Sequence, residues 1–211
     1  VKTPGMSRAE RTGQKILDAA MSSVLAKGIK RTSVEAIAAV AGVSHMTVYR
    51  RWPHKEDLFT DLLSREADAL FDRVDQSLAA VDDPRERLVE GFAQIFWAFY
   101  DHPLLVREYD ADPATTLRVL TVASRPVFDR AVDYLAARVG GLAGPEQTTA
   151  QARHMAEVMV RITHSLLLTT LETRPFADED EVRGWGREHL GWIFDDPTAG
   201  GSGRSRQSNP T

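Results

Sequence analysis

The chain has 211 residues and a mass of 23.4 kDa, enough for one large core or two modest domains. Its hydrophobic content of 43% is that of a folded protein, and with no cysteine, disulfides, thiolate catalysis and Cys-ligated metals are excluded. The net charge of −4 hides an asymmetry: residues 1–60 carry ten Lys/Arg against five Asp/Glu, a surplus of five positive charges, which leaves −9 on the remainder. A basic head on an acidic body can bind DNA although the whole chain is acidic, and the body biases how it docks. No apolar run approaches membrane-spanning length and the start shows no signal-peptide pattern, so a cytoplasmic location is expected.

Residues 1–7 read as a flexible start. Residues 8–27 predict a first helix, with Ile16, Ala20 and Val24 spaced to face a core and Gly28 placed as its C-terminal cap. Arg8, Arg11 and Lys15 near its beginning are either phosphate or minor-groove contacts or simply solvated charge. Thr32 and Glu35 fit a capping box, and Val34, Ile37, Ala38 and Ala41 then fall on one apolar face. Gly42 follows, where a sharp turn requires positive φ, and Ser44 is the next N-cap. Residues 45–51 make only two turns. Val48 faces inward beside Val43, which leaves His45, Met46, Thr47, Tyr49, Arg50 and Arg51 to point outward. Trp52-Pro53 ends this helix, because a residue before proline avoids the α region, and Lys55 opens the next.

Two short helices joined by a glycine turn, with polar and basic residues on the second, form the helix-turn-helix pattern. An ordinary helical hairpin with a basic face has the same spacing. The segment resembles the DNA-binding part of the TetR family of bacterial repressors. The residues that carry the resemblance are Gly28, Thr32, Ile37-Ala38, Ala41-Gly42-Val43-Ser44, Thr47, Val48-Tyr49, Trp52, Lys55 and Leu58. The family pattern usually has a large aromatic, often Phe, where Trp52 stands, and a small or polar cap where His54 stands. The resemblance covers the first quarter of the chain; beyond about residue 65 it is architectural.

A long helix is expected over residues 55–81, broken by Asp82-Asp83-Pro84. Residues 85–100 predict a ring-rich helix ending at His102-Pro103. Short helices flank a turn at residues 110–113, and Pro126 opens a helix to about Val139. A glycine loop follows, then long helix 146–173, then a last helix from Asp178 or Asp180 through Phe194. Residues 197–211 are low-complexity and read as disordered. No strand pattern and no repeat appear. The fold expected is all-α: an N-terminal helix-turn-helix head over residues 1–54, a helical ligand-binding and dimerisation body over 55–196, and the tail.

Helix 146–173 is apolar on more than one face, so one face can meet its own core and another a partner; a purely intramolecular core is the alternative. Ile162 and Leu166 there, with Trp185, His189 and Trp192 on one face of the last helix, are the candidate dimer interface. A twofold four-helix-bundle dimer is what the resemblance implies. An apolar effector pocket, also implied by the resemblance, draws on Phe92, Phe96, Trp97, Phe99, Tyr100, Tyr109, Phe128, Tyr134, Met155 and Met159; each of these rings and thioethers serves a core equally well. His154 and Glu157 form an H-x-x-E pair, a spacing common by chance, and no metal site is assigned. No phosphate loop, G-x-S-x-G or H-E-x-x-H occurs, so no catalytic residue and no cofactor are expected.

The function expected is a ligand-responsive repressor that binds a palindromic operator in double-stranded DNA as a homodimer, with a small apolar or amphipathic effector. Thr32, Ser33, Ser44, Tyr49 and Lys55 would hold phosphates; His45, Met46, Thr47 and Arg50 would reach base edges or their neighbours. Whether Arg50 or Arg51 reads a base is open. The alternative is a helical small-molecule binding or carrier protein without specific DNA binding.

Overall fold

The computed structural model describes residues 6–121, 124–140, 147–173 and 175–190. Among them the regular elements are ten helices: α1 (Arg8–Lys27), α2 (Val34–Ala41), α3 (His45–Arg51), α4 (Lys55–Leu78), α5 (Pro84–Tyr100), α6 (Pro103–Ala111), α7 (Pro113–Thr121), α8 (Arg125–Val139), α9 (Thr149–Thr173) and α10 (Glu179–His189). The chain is thus all-α, a helix-turn-helix head followed by a larger helical body. None of the described helices is long and apolar enough to cross a membrane.

The chain divides into two compact units. One comprises Val1–Asp72 with Ala98–Arg130, the other Arg73–Trp97 with Ala131–Thr211. The core of the first is built on the head: Ile16, Leu17 and Ala20 of α1, Ile37, Ala38 and Ala41 of α2, Val48 and Trp52, and Leu58 and Leu62 of α4. The small residues of α2 let α1 and α3 approach it closely. In the second unit α10 lies on α5. Gly186 makes that possible, because a Cβ there would lie 3.0 Å from Phe92. The Trp185 ring stacks on Phe92 at 5.5 Å, Phe92 stacks on Phe96 at 5.8 Å, and Phe176 meets Phe96 edge-on at 5.6 Å.

Several local expectations are corrected. Thr32 is not a cap. It is buried, and its hydroxyl donates to the Gly28 carbonyl at 2.8 Å, while Ser33 caps α2 by accepting from Ala36 N–H at 3.2 Å. The complete capping box is instead at Ser7 and Glu10, which open α1. Helix α4 stops at Leu78, three residues early, and Val81 N–H closes a turn onto the Leu78 carbonyl. The break between α6 and α7 narrows to Asp112, since Pro113 can open a helix but cannot continue one. Helix α9 begins at Thr149, where Thr148 and Gln151 bond reciprocally. Helix α10 ends at His189, short of the expected Phe194, with Leu190 N–H closing onto the Gly186 carbonyl; Trp192 and the tail lie outside the described residues.

Candidate nucleic-acid interface

Helix α3 is short because both ends are set by local chemistry. Gly42 adopts the left-handed conformation at φ 63°, and its N–H returns to α2 carbonyls. Ser44 then caps α3, accepting from Thr47 N–H at 3.2 Å, and the two hydroxyls meet at 2.9 Å. At the other end Trp52 leaves the helical region, and its buried indole N–H donates to Asp61 of α4 at 2.7 Å. Val48 is fully buried behind the helix. His54, in the place of the expected cap, donates its N–H to the Asp57 carboxylate at 3.1 Å, so α4 starts at Lys55 as expected.

The opposite face of α3 is open. His45, Met46, Tyr49 and Arg50 are exposed, Met46 by 65%. Thr47 is half-buried beside Ser44. Tyr49 leans on His45 edge-on at 6.4 Å and reaches the Glu35 carboxylate at 3.4 Å. That carboxyl is held below the usual range, first by its own backbone N–H and then by Ser33. Ser33 is exposed beside this face, whereas the Thr32 side chain is turned inward and offers nothing to a phosphate. Lys55 is half-buried, with its ammonium on the Ile29 carbonyl at 3.3 Å and over the Phe59 ring at 5.3 Å. Lys15 of α1 comes close to the Gly42 turn, its Nζ 3.6 Å from where a Cβ on Gly42 would stand.

Two features of this region were not anticipated. Arg51 is turned back onto α1, where its guanidinium donates to the Ala9 carbonyl at 3.1 Å. And α6 grips the end of α1: Arg107 donates to the carbonyls of Leu25 and Val24 at 2.8 and 3.1 Å, and Glu108 accepts from Ile29 N–H at 3.1 Å. The sequence signal for the first was Gly13 inside an amphipathic helix, where glycine is unfavourable unless something needs the space. The second left no local signal.

The other expected residues distribute between the units. Phe99, Tyr100, Tyr109 and Phe128 belong to the first, and Phe92, Phe96, Trp97, Tyr134, Met155 and Met159 to the second. Phe92, Phe96, Tyr100 and Met159 are buried; the rest are half-buried. Tyr134 donates to Asp75 at 2.9 Å beneath the Arg138 guanidinium, and burial raises the pKa of its hydroxyl far above the usual range. Of the interface candidates, Ile162, Leu166 and Trp185 are half-buried and His189 is exposed against Trp185 at 4.7 Å. Glu157 is paired with Arg161 at 2.6 Å, and among the described residues no three His, Cys, Asp or Glu side chains converge.

Residues 16–62 match the family model described as "Bacterial regulatory proteins, tetR family". An uncharacterized HTH-type transcriptional regulator of Mycobacterium tuberculosis is 41% identical over 85 residues, which span 40% of this chain and 42% of that protein. The HTH-type transcriptional repressor KstR of the same organism is 31% identical over 183 residues, covering 84% of this chain and 79% of KstR. In fold, the chain resembles the TetR family repressor AlkX from a Dietzia strain, with a TM-score of 0.66 at 17% identity over 90% of this chain and 97% of that one. It also resembles Thermus thermophilus FadR in complex with lauroyl-CoA, with a TM-score of 0.63 at 20% identity over 94% of this chain and 100% of that one. A matching head and a repressor relative that aligns along most of both chains place the protein: it belongs to the TetR family of bacterial transcriptional regulators.

Proposed function

We propose that the protein is a ligand-responsive repressor that binds a near-palindromic DNA operator as a homodimer. The observation that carries this reading is α3: a capped two-turn helix, supported from behind by Val48, whose exposed face presents His45, Met46, Tyr49 and Arg50. A side-chain set of this kind suits a major groove, with Met46 against a thymine methyl and the polar groups at base edges or phosphates. Ser33, Ser44, Thr47 and Lys55 border the face; Thr32 serves it only through the turn it holds.

The dimer reading rests on α9, where Met155, Val158, Ile162 and Leu166 lie along one side of the helix and are all only half-buried within one chain. An apolar stripe left that open is completed by a second copy across a twofold axis. Two recognition helices about 34–36 Å apart then meet successive major grooves. The effector proposed is apolar or amphipathic, held in the ring-rich helical body. An acyl-chain compound is the first to test.

The experiment is selection of duplexes from a random library by the full-length chain, followed by affinity against salt. The expected result is an inverted repeat, with log affinity falling by about 0.9 per phosphate neutralised as log salt rises. Recovery of random or asymmetric sequences alone would leave the carrier-protein reading.

A further inference from the structure

Gly13 lies in the sixth position of α1, well inside the helix, and is buried. The space it leaves is filled by a charged group. A Cβ on Gly13 would stand 2.6 Å from Arg51 Cζ, 2.7 Å from one terminal nitrogen and 2.9 Å from the other. The guanidinium therefore lies flat on the bare α1 backbone. It donates to the Ala9 carbonyl at 3.1 Å and stands 5.1 Å from the centre of the Trp52 ring. Its charge also faces Glu10, whose carboxyl sits below the usual range chiefly through Ser7, with Arg51 and Arg11 adding to the effect. Arg50 and Arg51 are both exposed, but the Arg50 side chain has no hydrogen bond or ion pair among the described residues.

We infer that Arg51 is a positioning residue for DNA recognition, seated in the slot that Gly13 leaves on α1, and that Arg50 is the basic side chain of α3 that meets DNA. The inference rests on α3 being the recognition helix. Its physical content is angular. Arg51 is the last residue of α3, Ser44 caps the first turn, and Val48 is the single buried side chain between them. Val48 and the buried Trp52, bonded to Asp61 just past the helix end, seat α3 on its core side but do not tie it to the start of α1. A guanidinium bonded to α1 at the far end adds a further point, on the α1 side, that sets the angle. A Cβ on Gly13 would push the guanidinium off this spot, which links the two residues across 38 residues of sequence.

The test uses the full-length chain and the duplex it selects, with Gly13→Ala, Arg51→Lys, Arg51→Ala and Arg50→Ala. Gly13→Ala closes the slot while favouring the helix, so its thermal midpoint is expected to stay or rise. Its affinity for the selected duplex is nevertheless expected to fall about tenfold, with affinity for a random duplex unchanged. Arg51→Lys keeps the charge but not the fork, and is expected to behave like Gly13→Ala. Neither it nor Arg51→Ala changes the slope of log affinity against log salt, whereas Arg50→Ala lowers that slope by about 0.9. Wild-type affinity in Gly13→Ala, or a slope lost with Arg51 and kept without Arg50, would overturn the inference while leaving DNA recognition by α3 intact. Failure of the wild-type chain to select any duplex would overturn both.

Discussion

Glu108 of α6 stands directly over Gly28: a Cβ on that glycine would lie 2.6 Å from Glu108 Oε1. Gly28 itself is at φ 84°, where an L side chain is strained, so the α1–α2 turn is reserved for glycine twice over. Glu108 accepts from the Ile29 N–H that the turn leaves unpaired, while Arg107 covers the last carbonyls of α1 and Lys30 pairs with Asp112 at 3.4 Å. Glu108→Ala is expected to destabilise the fold by about 1–2 kcal/mol, the cost of a part-buried donor left without its charged acceptor. Gly28→Ala is expected to cost more, because strain and collision add. Urea unfolding checks both; equal stability of Glu108→Ala and wild type would show the grip to be idle.

Met46 and Tyr49 share the open face of α3 and are expected to differ in what they read. On the proposed reading Met46 packs against a base, so Met46→Ala should change which duplexes are preferred. If the Tyr49 hydroxyl holds a phosphate, as proposed, Tyr49→Phe should weaken all duplexes alike. Because Met46 is 65% exposed, its truncation should leave the thermal midpoint within a degree or so of wild type. Binding arrays over single-base variants of the selected site separate the two patterns.

Leu166 tests assembly. It lies on the half-buried apolar stripe of α9. Leu166→Glu would place a charge in a desolvated contact between copies, at a cost of about 3–5 kcal/mol to the dimer. Sedimentation at micromolar concentration is expected to show a helical monomer. A variant that stayed dimeric would place the interface elsewhere.

Glu90 and Arg183 predict an acid-side stability loss in the second unit. The Arg183 side chain is 17% exposed, and its guanidinium bonds Glu90 at 2.5 and 3.1 Å. That bond holds the Glu90 carboxyl below its usual range. A carboxylate depressed on folding contributes its full share above the unfolded value of about 4.3 and loses it as pH falls through the lower folded value. Thermal midpoints measured downward from pH 7 should therefore hold until about pH 4–5 and then drop. Glu90→Gln should be less stable at pH 7 by about 1–3 kcal/mol and show a shallower drop. Parallel curves for the two proteins would assign the acid sensitivity to other carboxylates.

Local chemistry made most of the head legible. Gly28, Gly42 and Ser44 act on backbone groups within one turn of themselves, and Val48 is singled out by a helical period that needs only its neighbours. The same holds for the proline breaks before α5 and α6. These features were readable because their cause and their effect lie a few residues apart. Thr32 shows the limit. Thr32 and Ser33 both offer a capping hydroxyl, and burial against Gly28 took Thr32 out of the competition.

What only the tertiary structure decided is where equivalent groups go. Arg50 and Arg51 carry the same charge on the same two-turn helix, and no local rule separates them. Both are exposed, but Gly13, on another helix, lets the Arg51 guanidinium lie against it and bond Ala9, while the Arg50 side chain bonds to nothing among the described residues. Glu108 meets Ile29 across 79 residues, and Trp185 reaches Phe92 because Gly186 lets two helices close. Charged and aromatic side chains are long, so their partners are set by which backbones approach. That approach belongs to the assembled core and to no single stretch of sequence.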